Sequence, residues 1–205
     1  MEGKDVCGIA KTGQGKTAAY VLPILQNLLT RPQIYHTLVI APTRELAVQI
    51  AEVFRQFGQS SGLRTAVLVG GIEMSRQQIE LAKKPHVIIG TPGRILDHFT
   101  NTRGFSLQHL KFLVLDECDK LLDMDFEKDI DQIIKSINKK RQTLMFTATF
   151  SQRIRMLKER VSSAVIIKQS QDEQKTNAEL KQYMVVSPAL DKPNVLIQLL
   201  EEQNL

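Results

Sequence analysis

The chain has no tryptophan and only two cysteines, and aromatic side chains make up just 5% of its 205 residues. Two thiols, Cys7 and Cys118, cannot staple a disulfide scaffold, so a reducing, intracellular compartment is expected. Neither has a partner cysteine or histidine within ligand spacing, and no zinc site is expected. So few aromatics exclude an interleaved platform for stacking unpaired bases. No apolar run approaches the length of a membrane span, and Met1-Glu2-Gly3-Lys4-Asp5 lacks the apolar stretch of a secretion signal. A soluble chain without membrane contact is the expectation. Charge is not of one sign: 27 basic side chains face 22 acidic ones, for a net +5. That balance permits nucleic-acid binding without requiring it. Internal repeats and low-complexity tracts are also missing.

What is present is a rhythm. Short apolar runs at Val6–Ala10, Thr37–Ala41, Thr65–Val69, His86–Ile89, Phe112–Asp116, Thr143–Phe146 and Ala164–Ile167 read as strands. Between them, apolar positions at three and four spacing predict helices over Lys16–Leu29, Arg44–Gln59, Glu73–Ala82, Gly93–Phe99, Phe126–Ile137 and Gln152–Arg160. Such alternation predicts an α/β fold, a parallel sheet flanked by helices, with ligand chemistry at the carboxyl ends of the strands. Residues 1–168 form this core. The wholly polar run at 169–179 has linker composition, and 180–205 is too short for a core of its own. It contains one expected strand, Leu180–Val186, and one expected helix, Asp191–Gln203.

The segment Ala10-Lys11-Thr12-Gly13-Gln14-Gly15-Lys16-Thr17 follows the first strand and opens the first helix. A glycine-containing turn there aims backbone N–H groups and the positive helix end at phosphates; a lysine reaches the terminal phosphates and a hydroxyl ligates Mg²⁺. Ala10 stands where the strict phosphate-loop pattern has glycine. About a hundred residues later, Leu113-Val114-Leu115 ends in Asp116-Glu117, one carboxylate for Mg²⁺ and one to orient an attacking water. Together these point to a nucleoside triphosphate, with Thr12 to Thr17 as its binding loop and Lys16, Asp116 and Glu117 as the catalytic set.

Three further segments follow strands and suit phosphate contact: Pro42-Thr43-Arg44 with a hydroxyl and a guanidinium, Gly70-Gly71 with room for close backbone approach, and Thr91-Pro92-Gly93-Arg94 at a helix start. The order and spacing of Pro42-Thr43-Arg44-Glu45-Leu46-Ala47, Gly70-Gly71, Thr91 to Arg94, Asp116-Glu117-Cys118-Asp119 and Thr147-Ala148-Thr149 resemble the first domain of a DEAD-box RNA helicase, from about Gly3 onward. The resemblance implies a RecA-like phosphate-loop domain, ATP and Mg²⁺ as cofactors, and single-stranded RNA bound through its backbone at the three segments above. It also implies that Thr17 and Asp116 hold Mg²⁺, that Glu117 activates water, and that Asp119, Thr147 and Thr149 couple the nucleotide site to domain closure.

Departures from the family pattern are few. Gln14 replaces the usual serine, Cys118 an alanine, and Thr147 a serine whose hydroxyl it keeps. The family's adenine-reading aromatic and glutamine lie upstream of the phosphate loop, and its arginine-rich motif lies in a second domain. This chain is therefore read as one domain with the opening of another, a monomer whose isolated activity and nucleotide affinity are expected to be weak. Leu81-Ala82-Lys83-Lys84-Pro85-His86 and Leu122-Asp123-Met124-Asp125-Phe126-Glu127 resemble the nucleolar, ribosomal-RNA-processing branch, implying a nucleus or nucleolus location and ribonucleoprotein partners. The Asp-Glu-Cys-Asp spelling resembles the messenger-RNA-export branch; the longer runs carry the assignment. A non-hydrolysing RNA- or protein-docking module is the alternative, favoured by Gln14 and opposed by Lys16, Asp116 and Glu117. A DNA-directed translocase is disfavoured by the Pro-Thr-Arg-Glu-Leu-Ala and Thr-Pro-Gly-Arg spellings. The basic set Arg153, Arg155, Lys158 and Arg160 is read as a solvated helix face.

Overall fold

A computed structural model describes residues 3–11, 13–162, 164–168, 184–188 and 191–202. The chain divides into two units, Met1–Gln169 and Ser170–Leu205.

In the first unit seven strands form one sheet, every pair parallel: β1 (Val6–Ile9), β2 (Thr37–Ile40), β3 (Thr65–Leu68), β4 (Val87–Gly90), β5 (Phe112–Leu115), β6 (Gln142–Thr147) and β7 (Val165–Lys168), in the order β3-β4-β2-β5-β6-β1-β7. Parallel strands covered on both faces read as unbroken apolar runs, and the fully buried Thr-Leu-Val-Ile, Val-Ile-Ile-Gly and Phe-Leu-Val-Leu of β2, β4 and β5 show that cover. Alternate residues feed two cores. Leu38 and Ile40 point into one and Val39 into the other.

The second of these cores is closed by α1 (Lys16–Thr30) and α2 (Arg44–Gly58), whose Tyr20, Ile24, Ile50 and Phe54 are buried in it. The other face is covered by α3 (Met74–Ala82), α4 (Pro92–Asn101), α5 (Cys118–Asp123), α6 (Glu127–Ser136) and α7 (Gln152–Val161), through residues such as Leu81, Ile95, Leu121, Ile130 and Leu157. Local sequence sets the helix starts. Thr43 caps α2 by accepting the Leu46 N–H at 3.2 Å, Ser151 caps α7, and Thr91-Pro92 opens α4 with a proline whose missing N–H costs nothing there.

Two expectations need correction. Helix α5 and the 3-10 turn at Gln59–Ser61 lie where loop or a longer helix was expected. The basic face of α7 is not simply solvated: Arg160 bonds Glu127 and Asp131 of α6 at 2.6 and 3.0 Å, and Arg153 donates to the Leu122 carbonyl at 2.8 Å. Arg155 lies over the Phe150 ring, 5.8 Å from its centroid. Acidic residues on the neighbouring helix, invisible to a reading of α7 alone, account for this. In the second unit, residues 184–188 carry no regular secondary structure, and most of the strand expected over Leu180–Val186 lies outside the described residues. The expected helix is α8 (Lys192–Glu202). Residues 169–183 lie outside the described residues, and so does Thr12 in the phosphate loop. No described helix is long and apolar enough to cross a membrane.

Candidate functional site

The phosphate loop leaves β1 and enters α1. Gly13 and Gly15 take φ values of 85° and 76°, the left-handed region that glycine enters without penalty, and Gly15 is the residue preceding α1. The Lys16 ammonium donates to the Ala10 carbonyl at 2.9 Å, so it is held across the mouth of the loop. Gln14 folds back over the loop at its surface: its Oε1 accepts the Lys11 N–H at 2.8 Å. Beside the loop a cleft of about 1030 Å³ runs along β1, lined by Gln14, Lys16, Pro23, Leu144 and Phe146 among others, and does not reach Asp116 or Glu117.

Asp116 and Glu117 leave β5 at the same sheet edge. Asp116 is 3% exposed. Its Oδ1 accepts the Glu117 N–H and its Oδ2 accepts the Tyr20 hydroxyl from α1, both at 2.9 Å. Burial raises its pKa above the usual carboxylate value, and the two hydrogen bonds and the Lys16 charge oppose that rise. The Tyr20 phenol is itself pushed well above its ordinary range, first by burial and then by the Asp116 charge. Glu117 sits at φ 47°, ψ 54°, a left-handed conformation that costs a non-glycine residue about 1–3 kcal/mol, and its Oε2 pairs with Lys120 at 2.9 Å. Cys118 is fully buried, donates weakly to the Leu115 carbonyl, and has a thiol that burial keeps protonated, the environment of an inert packing residue.

Asp119 joins this strand end to the next. Its Oδ2 accepts from the backbone N–H groups of Ala148 and Thr149, each at 3.1 Å, and from the Thr149 hydroxyl at 3.3 Å. Burial pushes its pKa up, but the N–H bonds from Lys120, Thr149 and Ala148 outweigh it and hold the carboxyl below the usual range. Thr147 donates to the Thr149 carbonyl at 2.8 Å, closing the turn after β6.

A second group gathers further along the same edge, after β2, β3 and β4. The Arg44 guanidinium spreads over Gly70 and Gly71, so close that a side chain on Gly71 would collide with it. A groove of about 470 Å³ lies there, lined by Arg44, Glu45, Val48 and Gly70 to Ile72. Arg94 is less available than its motif implies: Nη1 donates to the Ile72 carbonyl at 2.6 Å and Nε faces Asp97 at 3.4 Å. Thr91 precedes α4 without a side-chain capping bond and Pro92 is buried at its first turn, while the Thr43 hydroxyl caps α2. Gln77 clamps the glycine turn by bonding the N–H and carbonyl of Val69 and the carbonyl of Ile72 at 3.0 to 3.1 Å. His98 of α4 lies 3.4 Å from the same amide. Reading the sequence missed both Gln77 and Tyr20, since neither belongs to a motif and Tyr20 meets Asp116 across 96 residues.

Comparison with known proteins agrees with this geometry. Residues 1–157 match the family model described as DEAD/DEAH box helicase. The chain is 47% identical over 202 residues to the ATP-dependent rRNA helicase RRP3 of Yarrowia lipolytica, covering 98% of this chain and 42% of that protein. It is 45% identical to the probable ATP-dependent RNA helicase DDX47 of Homo sapiens, covering 98% and 44%. The chain thus spans less than half the length of these relatives. Among solved structures, a DEAD box protein from Methanococcus jannaschii superposes with a TM-score of 0.75 at 33% identity, covering 96% of this chain and 52% of that one.

Proposed function

This chain belongs to the DEAD/DEAH box helicase family, and on that premise we propose that it is the nucleotide-binding core of an ATP-dependent RNA helicase acting in ribosomal RNA processing. Residues 1–168 are the RecA-like domain, 169–179 a linker, and 180–205 the start of a second domain. One observation carries the reading. The phosphate loop after β1, Asp116-Glu117 after β5 and Thr147–Thr149 after β6 meet at one sheet edge, and Asp119 bonds the last two together. Similarity to relatives named as rRNA helicases supports the branch and a nucleolar setting.

The residues fit ATP and Mg²⁺. The buried Asp116 carboxylate and the hydroxyl of Thr17, on the first turn of α1, are hard-oxygen ligands, and Mg²⁺ takes one or two such protein ligands and completes its shell with water and phosphate oxygens. Bound there, the ion would neutralise charge developing on the phosphates. The loop of residues 12–17 cradles the phosphates through backbone N–H groups, and Lys16 swings from the Ala10 carbonyl to the terminal phosphates. Glu117 holds and deprotonates the attacking water. RNA backbone lies against Pro42 to Arg44, Gly70, Gly71 and Thr91 to Arg94, and the coupling of Asp119, Thr147 and Thr149 passes closure to the nucleotide.

The test is RNA-stimulated ATP turnover in the longest natural form of this chain. Glu117→Gln is expected to keep ATP and RNA affinity but lower turnover by about 10² or more, the contribution of a positioned base. Lys16→Ala is expected to lose nucleotide binding itself. Turnover within tenfold of the parent in the glutamine variant would refute the role given to Glu117.

A further inference from the structure

Tyr20 is fully buried on α1, yet carries a hydroxyl into the core. Its ring packs against Phe146 and Phe54, with centroids 5.2 and 6.4 Å away. Phenylalanine would fill that space equally well, so packing alone does not explain the oxygen. That oxygen donates to Asp116 Oδ2 at 2.9 Å. The side chain therefore touches a residue assigned to Mg²⁺ and stands on the helix that Lys16 and Thr17 open. With Tyr20 entirely sealed, no water can take the place of its hydroxyl.

We propose that Tyr20 is a positioning residue of the nucleotide site, whose phenol locks the Asp116 carboxylate in the orientation that the metal requires. The proposal rests on Asp116 acting toward Mg²⁺. Asp116 has two oxygens, and each has one lone pair committed: Oδ1 to the Glu117 N–H and Oδ2 to Tyr20. With both oxygens tethered, the direction of the remaining lone pairs is fixed. Remove the phenol and the carboxylate keeps a single tether, from its own neighbour's backbone, about which it can turn. The phenol also ties the helix that begins at the phosphate loop to the strand end that bears Asp116, so the two halves of the site move as one. Groups holding a metal ligand in place are typically worth about 10- to 100-fold in metal affinity or activity.

The experiment uses the longest natural form of the chain, with Mn²⁺ as a paramagnetic probe and ATP present. Bound Mn²⁺ is read by electron paramagnetic resonance, and the Mg²⁺ requirement of binding by titration with a fluorescent ATP analogue. Tyr20→Phe is expected to need about tenfold more of either ion, with affinity for metal-free nucleotide unchanged. Tyr20→Met, which fills the space with a flexible apolar chain, is expected to shift the ion requirement the same way. Phe54→Leu, which disturbs the packing around the ring and leaves the hydroxyl, is expected to lower the thermal midpoint without moving the ion requirement. An unchanged ion requirement in both Tyr20 variants, beside a parent that binds ATP with Mg²⁺, overturns the proposal and leaves the nucleotide reading standing. A parent whose nucleotide binding ignores Mg²⁺ overturns both.

Discussion

His36 sits 1% exposed before β2, its ring against Phe112 and its nitrogens bonded to Thr37 and Asn27. Burial, with lesser contributions from Lys111 and His86, lowers its pKa from 6.5 to about 4. The unfolded chain takes up this proton near pH 6.5, whereas the folded chain resists it until about 4. Unfolding is therefore increasingly favoured as pH falls through that window, and the contribution is flat above it. At 1.36 kcal/mol per pH unit, the expected loss by pH 4.5 is on the order of 2 to 3 kcal/mol. His36→Gln should flatten this slope in denaturant melts run at pH 7 and pH 4.5. His86 and His98, also lowered by burial, leave a smaller slope of the same sign. An equal loss in parent and variant would show that His36 is already charged in the folded state.

At the scale of elements, α5 matters through a single residue. Asp119 holds the turn after β6, so Asp119→Ala strips the acceptor from three backbone N–H groups, two of them in that turn, and a hydroxyl. Coupling between sites commonly amounts to about 1–3 kcal/mol. The variant is expected to bind ATP as the parent does while the stimulation of turnover by RNA falls about tenfold, as steady-state assays with and without RNA would show. Equal stimulation would place the coupling elsewhere. Strands were legible in the sequence because buried parallel strands are uninterrupted apolar runs, and each strand of the sheet begins and ends within a residue of its run. Phosphate loop and strand-end carboxylates were legible because their chemistry is packed into neighbouring residues. Helix α5 was hidden: six residues beginning with Cys118-Asp119 look like the continuation of a motif. Tyr20 on Asp116, Gln77 on the glycine turn and Arg160 on α6 join residues 96, 8 and 29 to 33 positions apart, and only the folded backbone brings them together.

Across the whole molecule, the two functional groups share one edge of the sheet but differ in charge commitment. Arg44 lies exposed over glycines, whereas Arg94 already bonds the Ile72 carbonyl and faces Asp97. Arg44→Ala should weaken binding of unrelated single-stranded RNAs by a similar factor and reduce the slope of log affinity against log salt by about 0.7, one phosphate contact for a single strand. Arg94→Ala should weaken binding with a smaller change in slope, because the guanidinium acts through the loop it holds. Fluorescence anisotropy at several salt concentrations separates the two, and a larger slope change for Arg94 would reverse their roles. The strand order has one more consequence. β1, which leads into the phosphate loop, pairs among the described residues with β6 and β7, and beside it the Thr143 N–H bonds Asp5 across 138 residues. At about 5–20 residues per second, a ribosome needs roughly 7 to 30 s between making the first strand and making its partners. β1 and the phosphate loop it leads into thus wait for β6 and β7, and a nascent chain halted before Gln142 would carry this apolar strand without either of those two partners.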